Sequence, residues 1–420
     1  MKVLNGYEPA EVFRFFEDIC SIPHISYHEK ALSDYCVAFA KERNLYWEQD
    51  ELGNVIIIKE ATPGYENVEP IIIQGHLDMV GDKIPECEID MEKESIHILV
   101  EGDMITADGT TLGADNGIAV AYGLALLDSS DIAHPRLEVV LTVSEEVGLE
   151  GATAIDLSSC KAKRLLNIDS EDEGVFTVGC AGGLRVDCTI PMETVQKTGV
   201  VCEIKTIGFL GGHSGIEIDK GRLNANVTLG RFFLFLKEKL SFDIMNMEGG
   251  VKDNVIPKNA KALFIIESEM RETLEEQVEA FNHILNVECG SCDAEAKLVL
   301  SVCEEATVEV LVEESKEKVI AALVGMPNGV QAMSPDLKGL VETSLNLGIM
   351  ELKEDVFVTD TSIRSSVGSR KEDLRDKLVN IIEIVGGEAE VVGDYPAWEY
   401  KAESKLREEI AASYRAVYGK

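Results

Sequence analysis

Six residues of this chain are of types, and in places, that could carry out hydrolysis with metal ions. They are His76 and Asp78 in IIIQGHLDMV, Asp115 in LGADNG, Glu145 and Glu146 in LTVSEEVGLEG, and Asp169 in LLNIDSED. Each follows an apolar, largely β-branched run or opens a helical pattern, where open α/β sheets collect their active-site groups. His76 and Asp78 are two apart at a strand end, so they project to the same side while the strand lasts. One ring nitrogen of His76 can hold a metal while the carboxylate orients the ring from behind. By itself His-x-Asp fits a surface histidine equally well, and its context is what gives it weight. Asp115, with Asn116 as an equal candidate, reads as the N-cap of the helix GIAVAYGLALL. Its two oxygens could also bridge two cations about 3.5–4 Å apart. Glu145 and Glu146 are adjacent at a strand end, where successive side chains point opposite ways. One can then bind metal while the other handles a proton, although an EE pair alone is more often two solvated glutamates. Asp169 would complete a set of hard oxygen ligands that, with one histidine, suits zinc, manganese or cobalt. The set points to a two-metal hydrolase.

The elements that must position these groups alternate along the first part of the chain. Helical patterns over residues 10–22 and 29–45 lead to the strands NVIIIKE and PIIIQGH. A helix beginning near Asp115 and Asn116 follows, and LEVVLTVSEE and RLLNIDSE are strands with acidic ends. Such alternation implies a mostly parallel sheet. Beyond GCAGGLRVDCTI the acidic strand ends stop. TLEEQVEAFNHILNV and KEDLRDKLVNIIEIVGG are amphipathic helices among strand-like runs such as ALFIIESEM, VFVTDTSIRSS and EAEVV, which implies an antiparallel sheet with helices on one face. From YPAW onward the chain reads as a helix returning to the first domain. No repeat is present, which excludes a solenoid.

At 420 residues the chain is too long for one ordinary core, and two domains are expected. With 39 Lys+Arg against 76 Asp+Glu the formal charge is -37, which argues against nucleic acid or an anionic membrane as partner. No stretch approaches about 18 uninterrupted apolar residues and the N-terminus has no apolar h-region, so a cytoplasmic location is expected. Ten cysteines are scattered, and Cys289-Gly-Ser-Cys292 lacks the second half that a structural zinc site needs. Reduced, ordinary thiols are expected.

The segments GHLDMV, DGTTLGADNGIAVAYGLALL, EEVGLEGA, LLNIDSEDEGVFTVGCAGG, GFLGGHSGIEIDKGRLNAN and YPAW together resemble the M20 metallopeptidases over nearly the whole chain. Within that family the resemblance is to the aminoacyl-histidine dipeptidases. It implies a catalytic domain with a mixed, mostly parallel sheet of the phosphorylase/hydrolase-like kind and an inserted α+β lid domain. The lid closes over the metals and helps form a homodimer. The expected division is catalytic domain over 1–182, lid over 183–391 and return over 392–420. Two divalent ions are implied, zinc first and manganese or cobalt as alternatives: Asp115 bridging, His76 and Asp169 holding one, Glu146 partly holding the other. Glu145 is implied as general base and Asp78 as the group that orients His76. His213 in GGHSG matches a lid histidine that steadies the oxyanion, supplied by the partner subunit in related dimers, although a histidine among glycines also suits a turn. Arg364 in SIRSS resembles a lid arginine that binds the substrate carboxylate, a task for a planar fork. The implied reaction is metal-dependent hydrolysis of Xaa-His dipeptides, with an N-acyl-amino-acid deacylase or tripeptidase of the same family as the alternative. In one respect the chain departs from the pattern. The family's last metal-binding histidine, in a motif like HAGLE, has no counterpart among His24, His28, His76, His97, His134, His213 and His283. The expectation is a chain that stops at Lys420 before the last catalytic segment, with a second site left to Asp115 and Glu146, weaker metal binding there and impaired catalysis.

Overall fold

The computed structural model describes residues 2–170 and 172–419; Met1, Glu171 within LLNIDSEDEG, and Lys420 lie outside the described residues. The chain divides into two compact units, Met1–Phe176 with Ile410–Lys420, and Thr177–Glu409.

The first unit runs through α1 (Ala10–Cys20), α2 (Lys30–Glu42), β1 (Tyr46–Gln49), β2 (Val55–Lys59), β3 (Ile71–His76), the hairpin β4 (Ile98–Glu101) and β5 (Met104–Ala107), α3 (Ala114–Asp128), β6 (Leu137–Thr142), α4 (Glu150–Ala154) and β7 (Arg164–Asn167). In α1 the spacing of Val12, Phe15, Phe16 and Ile19 puts all four on one buried stripe. The sheet is mixed, in the order β1-β2-β6-β3-β7. β3 is parallel to β6 and β7, while β2 is antiparallel to β1 and β6. Every residue of β6 is buried, which is why LEVVLT reads as a continuous run rather than an alternation. Glu138, its one charged residue, pairs with Arg136 at 2.7 Å. Phe15, Phe16, Leu32, Phe39, Ile57, Ile73, Leu124 and Val139 fill the core. Gly75 is required by a close approach: a Cβ there would lie 2.5 Å from Asn116 Oδ1 and 2.7 Å from Ala119 Cβ. The absent side chain brings the start of α3 against the carboxyl end of β3.

The second unit comprises β8 (Gly182–Pro191), β9 (Thr194–Ile207), β10 (Gly212–His213), α5 (Ala225–Lys237), β11 (Asp243–Gly249), β12 (Val255–Ile256), β13 (Ala260–Ile266), α6 (Arg271–Cys289), β14 (Lys297–Leu311), α7 (Glu313–Gly325), β15 (Gly329–Met333), β16 (Val341–Lys353), β17 (Val356–Ser365), α8 (Gly368–Ile384) and β18 (Glu388–Tyr395). Its antiparallel sheet has the order β14-β9-β13-β11-β16-β17-β8-β18, with β15 on β16. Along β8, Leu184, Val186, Cys188 and Ile190 alternate inward toward a core rich in phenylalanine from α5 and α6, the period of two that a one-sided sheet demands. The boundaries expected at 182/183 and 391/392 fall inside β8 and β18. These two strands pair from Thr189↔Glu388 to Gly183↔Tyr395, which keeps both whole within this unit. Cys180 and Trp398 exchange two backbone hydrogen bonds of 2.9 Å where the chain enters and leaves. Beyond them, α9 (Lys405–Tyr418) carries Tyr414, whose ring meets that of Phe176 edge to face at 5.6 Å within the first unit. Among the described residues no helix is long and apolar enough to cross a membrane.

Candidate metal centre

His76 is the last residue of β3 and its side chain is 1% exposed. Leu77 N donates to Thr142 O at 2.7 Å, so the chain follows β6 for one more residue and sets Asp78 beside the imidazole. Nδ1 of His76 lies 3.0 Å from Asp78 O and 3.3 Å from Asp78 Oδ1. Nε2 faces the other way, 3.1 Å from Asp115 Oδ1, 3.6 Å from Asp169 Oδ1 and 3.9 Å from Glu145 Oε2. One donor atom each of His76, Asp115 and Glu146 lie within 4.8 Å of one another. All six residues singled out in the first domain are therefore brought to the carboxyl ends of β3, β6 and β7.

The electrostatics of this group are those of a site short of positive charge. Burial pushes the Asp115 carboxyl up and the charge of Asp169 adds to it, against the pull of His76. Burial likewise raises Glu145, and Glu146 with help from Asp115. Burial alone would lower His76, but Asp169 and Asp78 beside it push the imidazole up to about 10. Asp78 behaves differently: despite burial, hydrogen bonds from His76, the amides of Glu145 and Glu146, and Ser26 hold it at about 2. Carboxylates crowded on one imidazole, with oxygen and nitrogen donors turned inward, fit hard or borderline divalent cations.

Two local expectations are corrected. Asp115 does not cap a helix with its side chain: α3 is broken near its start, where Asp115 and Asn116 have non-helical backbone angles (φ -84°, ψ 105° and φ -116°, ψ 23°). Asp115 is thereby free to turn its carboxylate to His76. Asn116 ties three segments together, its Oδ1 accepting from His76 N at 3.0 Å and its Nδ2 donating to Ile168 O at 2.5 Å and Asp169 Oδ1 at 3.1 Å. Nor are Glu145 and Glu146 separated by the pleat of a strand. β6 ends at Thr142 and Ser144 is left-handed (φ 52°). The turn points both following amides at Asp78, Glu145 N to Oδ1 at 2.9 Å and Glu146 N to Oδ2 at 3.2 Å, while Ser26 Oγ donates to Oδ2 at 2.9 Å. Asn116 and Ser26 were not singled out from the sequence. Asn116 stood only as an alternative cap, and Ser26 has no local signal.

His213 and Arg364 lie in the second unit, on β10 and β17. His213 Nδ1 accepts from Gly215 N at 3.0 Å and Ile216 N at 3.3 Å, so in the neutral ring the proton sits on Nε2 and makes that atom a donor. A Cβ on Gly215 would lie 2.9 Å from His213 Cε1 and 3.5 Å from Arg364 Nε, which puts both side chains beside that glycine. Arg364 Nη1 donates to Tyr395 Oη at 3.4 Å, while its buried Nε and the buried Ser214 Oγ have no hydrogen-bond partner among the described residues.

Comparison with known proteins gives concordant matches. The family profile described as the peptidase dimerisation domain of the M20 group matches residues 204–291. The cytosol non-specific dipeptidase of Escherichia coli (strain K12) is 36% identical over 423 residues, covering 100% of this chain and 87% of that protein. The crystal structure of aminoacylhistidine dipeptidase from Vibrio alginolyticus superposes with a TM-score of 0.92 at 36% identity, over 99% of this chain and 85% of that one. With full-length identity at this level, the same fold in both units and an acidic, histidine-containing cluster at the strand ends, the chain belongs to the M20 family of metallopeptidases.

Proposed function

We propose that the chain is a dipeptidase, cleaving Xaa-His dipeptides among its substrates, with two divalent ions, zinc in the first place, held by His76, Asp115, Glu146 and Asp169. The observation that carries this reading is the convergence of Asp115, Asp169 and Glu145 on the buried Nε2 of His76. The names of the Escherichia coli and Vibrio relatives supply the substrate class and a cytosolic setting. Bound there, divalent cations would polarise the scissile carbonyl and acidify water.

The remaining roles belong to side chains. Asp78 holds the imidazole so that Nε2 stays turned toward the carboxylates. Glu145, its carboxyl raised by burial, takes the proton of the attacking water and returns it to the leaving amine. His213, a donor through Nε2, steadies the developing oxyanion. Arg364 binds the substrate's terminal carboxylate. Its support is that, in a chain of charge -37, no carboxylate among the described residues lies within ion-pair distance of it, so it can fork onto an incoming anion. The dimerisation profile supports a homodimer formed through the second unit.

The test is release of free histidine from a panel of Xaa-His dipeptides, with N-acyl-amino-acid controls, as zinc or manganese is titrated. Metal-dependent release from the free dipeptides is expected. Cleavage of the acylated controls alone would replace the dipeptidase reading by a deacylase.

A further inference from the structure

Glu145 and Glu146 stand outside regular structure, in the turn between Thr142 and Glu150. The stem of that turn is held by Asn54, whose Oδ1 accepts from Val143 N at 3.0 Å and whose Nδ2 donates to Gly151 O at 3.1 Å. Its tip is held by Glu29. The Glu29 carboxylate accepts from Ser144 N at 2.9 Å and from Ser144 Oγ at 3.2 Å. Glu29 is 5% exposed, and no cation among the described residues pairs with it. It occupies the N-cap position of α2, yet its side chain makes no capping bond to that helix. Burying a carboxylate without a counter-charge is costly, and here the group is committed to one residue.

That residue is Ser144, at φ 52°, a conformation that disfavours non-glycine residues by roughly 1–2 kcal/mol. The left-handed step sends the next two amides to Asp78. Without it the chain direction changes at Ser144, and Glu145 and Glu146 leave their places together. We propose that Glu29 is a positioning residue for hydrolysis, its carboxylate holding Ser144 left-handed so that the base Glu145 and the ligand Glu146 are aimed. This rests on the assignment of Glu145 as the base.

The test uses the full chain, loaded with manganese or zinc, as wild type, Glu29→Ala, Glu29→Gln, the double variant Glu29→Ala/Ser144→Gly, and Glu145→Gln. The readouts are kcat and KM on an Xaa-His dipeptide, metal content, and amide hydrogen exchange of residues 143–149. A displaced catalytic group costs on the order of 10²-fold. Glu29→Ala is expected to lose about that in kcat at saturating metal, with KM within about threefold, metal bound more weakly because Glu146 moves as well, and exchange at Glu145 and Glu146 accelerated. Glu29→Gln keeps an acceptor oxygen but loses the charge, so its kcat and its exchange in the turn should fall between those of wild type and Glu29→Ala. Glycine adopts the left-handed conformation freely, so the double variant should recover part of the lost rate. Wild-type kcat and wild-type exchange in Glu29→Ala, with Glu145→Gln inactive, would overturn the role of Glu29 and leave the base assignment standing. Full turnover by Glu145→Gln would overturn the base assignment, and exchange in the turn then decides whether Glu29 holds it. If Glu29→Ala does not fold, Glu29→Gln decides: an intermediate kcat with faster exchange supports the role, and wild-type values of both refute it.

Discussion

Asp78→Asn is the most informative change at the centre, because Asp78 is the one carboxylate there whose hydrogen bonds come from three separate segments. It accepts from Glu145 N, Glu146 N and Ser26 Oγ at 2.9, 3.2 and 2.9 Å and lies 3.3 Å from His76 Nδ1. Asparagine keeps one acceptor oxygen and sets an amino group where the other was, so one backbone donor meets a donor. A hydrogen bond to a charged group is worth about 1.5–3 kcal/mol, and a buried donor left without a partner costs about 1–3 kcal/mol. One of each amounts to about 2.5–6 kcal/mol, shared between a less stable first unit and a displaced turn. At 1.36 kcal/mol per decade, roughly half of that is a loss of 10- to 100-fold in kcat/KM. His76 keeps Asp78 O as partner for Nδ1 at 3.0 Å, so its orientation survives and metal affinity should fall about 10- to 100-fold rather than vanish. Steady-state hydrolysis at saturating metal and competition with a chelator measure the two losses separately. Asp78→Asn with wild-type metal affinity and kcat/KM within about threefold would refute the view that this carboxylate organises the site.

Three further outcomes are expected. Arg364→Ala should raise KM for free dipeptides by about 10- to 100-fold, the worth of a charge-assisted bond, and change little for C-terminally amidated analogues; equal effects on both would remove Arg364 from carboxylate binding. Burial and the neighbouring Asp187 and Asp253 push the Asp360 carboxyl to about 7 against the pull of Arg185. Its unfolded value is about 3.9, so its contribution to stability is full below about pH 4 and is lost as pH rises to about 7. Asp360→Asn should therefore gain stability relative to wild type between pH 5 and pH 8 in urea unfolding, and a constant difference would contradict the sign. Phe233 is fully buried with ring centroids of Phe232, Phe242 and Phe264 at 5.5, 5.2 and 5.5 Å; Phe233→Ala should cost about 3–5 kcal/mol in urea unfolding, and Phe233→Leu clearly less.

The parts of the site that were legible in the sequence are those with a local signature. His76 and Asp169 follow apolar runs that form β3 and β7, and the period of two in β8 shows which face of the second sheet is covered. What could not be read was set by contacts between distant segments. Asn116 reaches His76 across 40 residues and Glu29 reaches Ser144 across 115, and neither spacing leaves a pattern. The pleat was the wrong reason for separating Glu145 from Glu146, because no motif rule announces a left-handed serine. Strand pairing between β8 and β18, which no composition pattern announces, brings residues 182–191 and 388–395 together in one sheet.

The pairing of Cys180 with Trp398 bears on the order in which the protein is made. Tyr414 must find Phe176, and it leaves the ribosome only after the whole second unit. Through an unfolded insertion that contact would close a loop of about 240 residues; once the insertion has folded and its ends are joined, the flexible length is about 20, which lowers the closure cost by about 2 kcal/mol. The inserted unit thus acts as a clasp during synthesis, and a lesion in its phenylalanine core should delay completion of the other unit without touching any of its residues.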